Sequence, residues 1–314
     1  MSRIHEALKK AEQERGAVQT GDRVVLPPDP TGAPASPPIS APAKGAETFV
    51  RGSATALLSA DYLRFDDLRT HCAHPHWHLD PNVNVFFNTS LSEHGAEQFR
   101  TLRSRLYQLR GTQLLRTILV TSSVPGEGKT FVTCNLAQAI VRQPDRRVLI
   151  IDADLRCSRL HVPLGAPSSP GLTDYLRGQV DEMTVIQHGQ EGNLCLIPGG
   201  NEVTNPSELL SNGRMKILLD RVTPVFDWVI LDSPPCLPVA DASVLADLVD
   251  GTLMVVRAAS TPSQNAQRAC QELQGRKLIG VVLNAVEEAH AQGSYYYSGY
   301  GYGYSGRNDK SAQK

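Results

Sequence analysis

Apolar runs that do not alternate, each ending in a polar loop, constrain this chain more than anything else in it. Three occur in fixed order: TILVTSSVPGEGKT (Thr117–Thr130), RVLIIDADLR (Arg147–Arg156) and DWVILDSPP (Asp227–Pro235). A strand with one wet face alternates apolar and polar residues. A run such as Val148–Ile151 is apolar throughout and must be covered on both faces, which a parallel sheet between helix layers provides. The rest of the pattern agrees. A helix with Phe99, Leu102, Leu106 and Leu109 on one face runs to Gly111, followed by a strand at Thr117–Thr121 and a helix from Lys129 to about Arg142. Strands are then expected at Arg147–Asp152, Leu194–Pro198, Trp228–Asp232, Thr252–Arg257 and Leu278–Asn284. A helical stretch near Leu172–Arg177 and one helix from Pro206 into Leu219 lie between them. The expected fold class is α/β, with a doubly wound, mainly parallel sheet.

The compact domain is expected over residues 93–286. Before it come a weakly amphipathic helix (residues 1–20, with Ile4, Leu8 and Ala11 at helical spacing), a Pro/Ala-rich linker (21–60) and a lead-in segment (61–92). Seven prolines between Pro27 and Pro42 make the linker an extended spacer. The lead-in holds His71, Cys72, His74, His76 and His78 around Trp77. Alternate histidines on a strand would share a face, but Pro75 interrupts the run, so surface histidines are expected rather than a metal site. Residues 287–314 are low in complexity. Six of the nine tyrosines (Tyr295, Tyr296, Tyr297, Tyr300, Tyr302 and Tyr304) fall in this tail.

A net charge of −1 gives no nucleic-acid footprint. The six cysteines form no CxxC pair, as expected for free thiols in a reducing compartment. No apolar run approaches the roughly 20 residues of a membrane span, and MSRIHEALKK lacks the apolar core of a secretory signal. A cytoplasmic protein is expected.

The first motif is a phosphate-binding loop. Gly126 and Gly128 let the loop Val124–Pro125–Gly126–Glu127–Gly128 curl so that its backbone amides, that of Pro125 excepted, and those opening the next helix face phosphate oxygens. Lys129 would neutralise β- and γ-phosphates, and the Thr130 hydroxyl would hold Mg²⁺. Ser123 stands where such loops usually carry glycine. Ligands of doubly wound sheets sit outside the C-terminal strand ends, where Asp152, Asp154 and Asp232 lie. Asp152 and Asp154 would approach one ion, or Asp154 would cap the following turn.

These residues resemble the bacterial tyrosine kinases. LIIDADLR is similar to their second Walker motif, VILDSPP to their DxPP motif, and NPSELL (Asn205–Leu210), DASVLAD (Asp241–Asp247), GVVLN (Gly280–Asn284) and the tyrosine cluster also match. The resemblance covers Glu93 to the C-terminus and implies a P-loop NTPase of the MinD/ParA-like branch. It further implies ATP- and Mg²⁺-dependent autophosphorylation of the tail, linked to export and chain-length control of exopolysaccharide or capsule. By analogy Asp152 would draw the proton from the incoming tyrosine. Asp154 and Asp232 would order Mg²⁺, Arg156 would steady the site, and Asn284 would read the adenine edge. The family's ExxRxxR self-assembly motif is matched by Glu97, Arg100 and Arg103. These lie opposite the apolar helix face and so are expected to be free to contact another subunit of a ring. Implied partners are further copies of the chain, a separate membrane-spanning co-polymerase that activates it and recruits it to the inner face of the plasma membrane, and a cognate tyrosine phosphatase.

Two rivals stand beside this reading. A MinD/ParA-type switch ATPase typically has a lysine five residues before the loop lysine, where this chain has Val124. An ATP-binding adaptor without catalysis would not need the full set of carboxylates.

Overall fold

The computed structural model describes residues 63–87, 92–190 and 192–286. The expected N-terminal helix, the proline linker and the tyrosine cluster lie outside the described residues.

Helices α1 (Phe65–His71) and α2 (Ser92–Arg110) precede β1 (Thr117–Ser122), α3 (Lys129–Val141) and β2 (Arg147–Asp152). Two short helices, α4 (Leu172–Leu176) and α5 (Glu182–Val185), lead into β3 (Gln187–His188) and β4 (Asn193–Ile197). Then come α6 (Pro206–Ser211), α7 (Arg214–Val222), β5 (Trp228–Asp232), α8 (Asp241–Ala246), β6 (Gly251–Arg257), α9 (Ser263–Glu272) and β7 (Leu278–Asn284). The strands form one seven-stranded sheet in the order β3-β4-β2-β5-β1-β6-β7. All neighbours are parallel except β3 and β4.

The unbroken apolar runs now have their reason. Leu119, Leu149, Ile151, Val229 and Leu231 point into one core, and Ile118, Val120, Val148, Ile150 and Ile230 into the other. Successive side chains of a strand alternate faces, so a strand buried on both faces needs an apolar residue at each position. On the first face the sheet is covered by α1 and α4 to α9; on the second, by α3 with α2 laid over it. That double cover explains why α3 is buried from Val132 through Ile140.

Two expectations need correction. The helix expected from Pro206 into Leu219 is two helices, α6 and α7, broken at Asn212–Gly213. Gly213 has φ +84°, in the left-handed region, and the Asn212 carboxamide caps α7 by accepting from Arg214 N at 2.9 Å. The ordered core also begins before Glu93. Phe65 and Leu68 are buried, and the Phe65 ring meets Phe226 edge-on at 5.7 Å. Downstream in the same segment, the buried Asn135 carboxamide accepts from Val85 N and donates to Val83 O, both at 2.9 Å, fastening residues 83–85 to α3. The histidine run, expected to be interrupted at Pro75, forms no strand: His71 ends α1, and Ala73 makes an isolated bridge to Gln187. The His74 ring lies 5.2 Å from that of His188 and bonds Arg69 O. Among the described residues no group of three or more His, Cys, Asp or Glu side chains is placed to hold a metal by itself. No described helix is long and apolar enough to cross a membrane.

Candidate active site

Parallel register brings the motifs together. Asp152 ends β2 and Asp232 ends β5, and the two are direct partners on adjacent strands. Val120 of β1 pairs with Asp232 from the other side, three residues before the loop at Ser123. Three sequence-distant strand ends thus form one edge, with the phosphate loop beside two carboxylates.

The loop turns into α3 at Gly128, whose φ is +94°. That conformation favours glycine, and a Cβ there would also displace the Asn284 amide. Lys129 and Thr130 open the helix, where unpaired amides and the helix dipole favour an anion. Lys129 is 9% exposed. The Thr130 hydroxyl donates to Asp232 Oδ2 at 2.5 Å.

The carboxylates differ in what they hold. Asp152 is fully buried and organises the loop after β2. Its Oδ2 accepts from Ser158 Oγ at 2.7 Å and Leu160 N at 2.9 Å, and its Oδ1 from Asp154 N at 3.2 Å. Burial, with the charge of Asp154 against the relief from those donors, raises its carboxyl to about 6. Asp232 is raised further, to about 7, first by burial and then by the neighbouring Asp152, with Thr130 and Lys129 opposing. Asp154 is half-buried and also raised, chiefly by burial, with Lys129 pulling it back. Its Oδ1 accepts from Cys157 N at 3.1 Å, so Asp154 caps the following turn as one of the two sequence readings had it.

Arg156 and Asn284, two further expected site residues, are engaged with other groups of the protein. The Arg156 guanidinium forms a two-pronged ion pair with the buried Asp241, 2.7 Å and 3.1 Å, and donates to Ser207 Oγ at 3.0 Å. Ser207 belongs to NPSELL and Asp241 to DASVLAD, so these two segments meet at Arg156. Asn284 donates from its amide to Glu127 O at 2.9 Å. The Glu127 side chain is 2% exposed and accepts from Ser123 Oγ at 2.8 Å, from Val124 N at 2.7 Å, and from Thr261 Oγ1. Ser123 in place of glycine therefore has a partner. Thr261 and Arg257 carried no sequence signal, because their contacts span more than a hundred residues.

The self-assembly motif divides in two. Glu97 and Arg100 form an exposed pair at 3.0 Å. A cavity of about 390 Å³ lies beside them, lined also by Val85, Phe86, Glu93 and Ala96. Arg103, expected to be free, instead donates to Ala139 O of α3. A long side chain on the flank of α2 reaches the helix beneath it, which angular spacing along the sequence does not register.

The donor set fits a hard divalent cation such as Mg²⁺, which takes oxygen ligands and is usually held by one or two carboxylates plus substrate phosphates. A hydroxyl and carboxylates converge, and burial, with like charge behind it, raises the carboxyls of Asp152 and Asp232. Thr130, Asp154 and Asp232 are the residues that would hold it.

Comparison with known proteins now bears on this site. The family model described as the CobQ/CobB/MinD/ParA nucleotide binding domain matches residues 118–297. The tyrosine-protein kinase YwqD of Bacillus subtilis is 32% identical over 234 residues, 74% of this chain and 94% of its own. The tyrosine-protein kinase etk of Escherichia coli is 35% identical over 211 residues, 67% of this chain, and ptk of Acinetobacter johnsonii 34% over 212 residues. The chain spans only 29% of the length of each of those two. Among solved structures, the kinase domain of the E. coli tyrosine kinase ETK aligns with a TM-score of 0.61 at 32% identity, covering 72% of this chain and 87% of that one. The BceF tyrosine kinase domain aligns at 0.59 and 27% identity, covering 69% of this chain and 93% of its own.

Proposed function

This chain belongs to the bacterial tyrosine-protein kinases, built on the CobQ/CobB/MinD/ParA nucleotide-binding domain, and from that premise we propose that it transfers the γ-phosphoryl group of ATP to its own C-terminal tyrosines, Tyr295–Tyr304, in trans within an oligomer. The observation that carries this reading is the pairing of Asp152 with Asp232 at adjacent strand ends, beside the loop that presents Lys129 and Thr130.

Each residue then has a task. Loop amides and Lys129 hold and neutralise the phosphates. Thr130, Asp154 and Asp232 would hold Mg²⁺, which when bound would add charge neutralisation on the transferring group. A tyrosine phenol has a pKa near 10 and is a weak nucleophile at neutral pH. Asp152, its carboxyl lifted to about 6, is suited to take the phenol proton as the oxygen–phosphorus bond forms and the bond to the leaving ADP oxygen breaks. Arg156 acts at one remove, steadying the loop after β2 through Asp241.

The wider setting rests on the family resemblance. From Val286 to Tyr304 the chain can reach on the order of 60 Å at ~3.3 Å per residue, enough to enter a neighbour's site. Glu97, Arg100 and the cavity beside them are the proposed subunit contact. Each added phosphate brings about −1.5 to −2 charges and would drive the tail out, loosening the ring. A membrane-spanning co-polymerase would recruit and activate the kinase, a tyrosine phosphatase would reset it, and the cycle would regulate polysaccharide export. Mass spectrometry after incubation with Mg²⁺-ATP tests the reading. Phosphate on the tail of the wild type but not of Lys129→Met supports it. ATP turnover with an unmodified tail, in the presence of the membrane partner, overturns it in favour of a switch ATPase.

A further inference from the structure

The phosphate loop is strapped from outside by two segments that take no part in the phosphoryl transfer described above. Glu127 is almost fully buried, and a buried carboxylate persists only where donors satisfy it. Its Oε2 takes two from its own loop, Ser123 Oγ and Val124 N, and its Oε1 takes the Thr261 hydroxyl. Thr261 lies past the end of β6, and its Oγ1 in turn accepts from Arg257 N at 3.1 Å. From the same turn, the Arg257 guanidinium donates to Gly126 O at 3.2 Å. The second segment is the end of β7, where the Asn284 amide donates to Glu127 O and Asn284 O accepts from Ala258 N at 2.8 Å. The three loops that follow β1, β6 and β7 therefore close on one another through Glu127.

We propose that Glu127, Thr261 and Arg257 are positioning residues that hold the phosphate loop in its binding conformation before nucleotide arrives. Gly126 and Gly128 give the loop its curl and also leave it the most conformational freedom to lose on binding. The strap removes that freedom in advance, so its energetic effect falls on nucleotide affinity and not on the chemical step. Both Glu127 oxygens are engaged by donors of the protein, which sets it apart from Lys129 in the same motif. The strap also explains Ser123. Glycine there would remove one of the three donors that keep Glu127 ionised and in place.

This inference rests on the reading of the loop as a nucleotide site, and its test separates the two. Binding of Mg²⁺-ADP is measured by calorimetry well below the melting temperature for Thr261→Val, Thr261→Ser, Glu127→Gln and the Thr261→Val/Glu127→Gln double variant. Gln sets an amide donor against the donors of Ser123 or Val124, and Val removes the hydroxyl. Each of these singles is expected to weaken ADP about tenfold, the double to be no weaker than the worse single, and Thr261→Ser to bind like wild type. In tail phosphorylation, Thr261→Val is expected to raise KM for ATP about tenfold with little change in kcat. Unchanged affinity in Thr261→Val, additive losses in the double variant, or a loss in kcat with KM preserved would each overturn the strap. An absence of ADP binding in the wild type would instead overturn the nucleotide site itself.

Discussion

Glu127 and Asp232 are both buried carboxylates at the phosphate loop, yet their surroundings are opposite in kind. Burial by itself raises a carboxyl, and at Glu127 that effect is outweighed by the hydrogen bonds of Thr261, Val124 and Ser123, so the group lies below its ordinary value. At Asp232 burial has the neighbouring Asp152 as its ally, only hydroxyls as donors, and the group is pushed to about 7. Desolvation, much the larger at Asp232, acts together with the count and sign of the neighbours to set the direction in which each acid is shifted. Glu127 is complete within the protein. Asp232 is not, and under the proposed function a magnesium ion carrying phosphates would complete it.

The largest effect should come from neutralising the incomplete side. Asp232→Asn is expected to lower the initial rate of tail phosphorylation by roughly 10²- to 10⁴-fold, while raising the melting temperature of the metal-free protein, because a like-charge contact with Asp152 is relieved. A variant that loses both activity and stability would break the contrast with Glu127.

A second, graded effect is in pH. Asp152 and Asp232 have folded-state values above their unfolded ones, so between about 4 and 7 the folded state binds more protons than the unfolded. Their contribution to stability is present below about pH 4 and is lost as pH rises through 6 to 7. Nucleotide-free protein is therefore expected to lose melting temperature over that window, less steeply in Asp232→Asn. Mg²⁺-ADP is expected to stabilise more at pH 8 than at pH 5.5. Equal slopes in wild type and variant would contradict burial and like charge as the origin of the raised carboxyls.

Arg156 offers a smaller effect in the opposite direction. Asp241 is fully buried while the Arg156 side chain is 40% exposed, so the pair is partly screened. Arg156→Ala is expected to destabilise by about 1–2 kcal/mol, less than a fully buried pair would show. Adding Asp241→Asn should recover part of that loss, as urea unfolding of the single and double variants would measure. Smallest in stability are the α2 residues. Arg103→Ala should cost about 1 kcal/mol through the lost bond to Ala139 O, whereas Glu97→Ala and Arg100→Ala should stay within about 0.5 kcal/mol yet reduce the oligomer seen by sedimentation. An unchanged oligomer in both exposed variants would remove them from the subunit contact.

The sequence was most legible where burial is two-sided. Each of the runs at Thr117, Arg147 and Trp228 becomes a strand buried almost throughout, because a nearly unbroken apolar run leaves few alternatives. Helix α9 escaped notice for the converse reason: SQNAQRACQE is mostly polar, and Ala269 is its one fully buried residue. The break at Gly213 did carry a signal, the Asn212–Gly213 pair inside the run, which the reading as one helix passed over. At the site, the residues local in sequence (the loop, Asp152, Asp154 and Asp232) could be read. The partners that set their behaviour could not, since Arg156–Asp241 and Glu127–Thr261 join positions 85 and 134 residues apart. Periodicity carries no information about such pairs.

The most direct test of phosphoryl transfer between copies mixes unlabelled wild-type chain with isotope-labelled Lys129→Met chain and Mg²⁺-ATP, and follows each tail by mass spectrometry. Phosphate is predicted on Tyr295–Tyr304 of the labelled chain, which cannot place it there itself. ATP consumed while the labelled tails stay unmodified would contradict transfer from one copy to the tail of another.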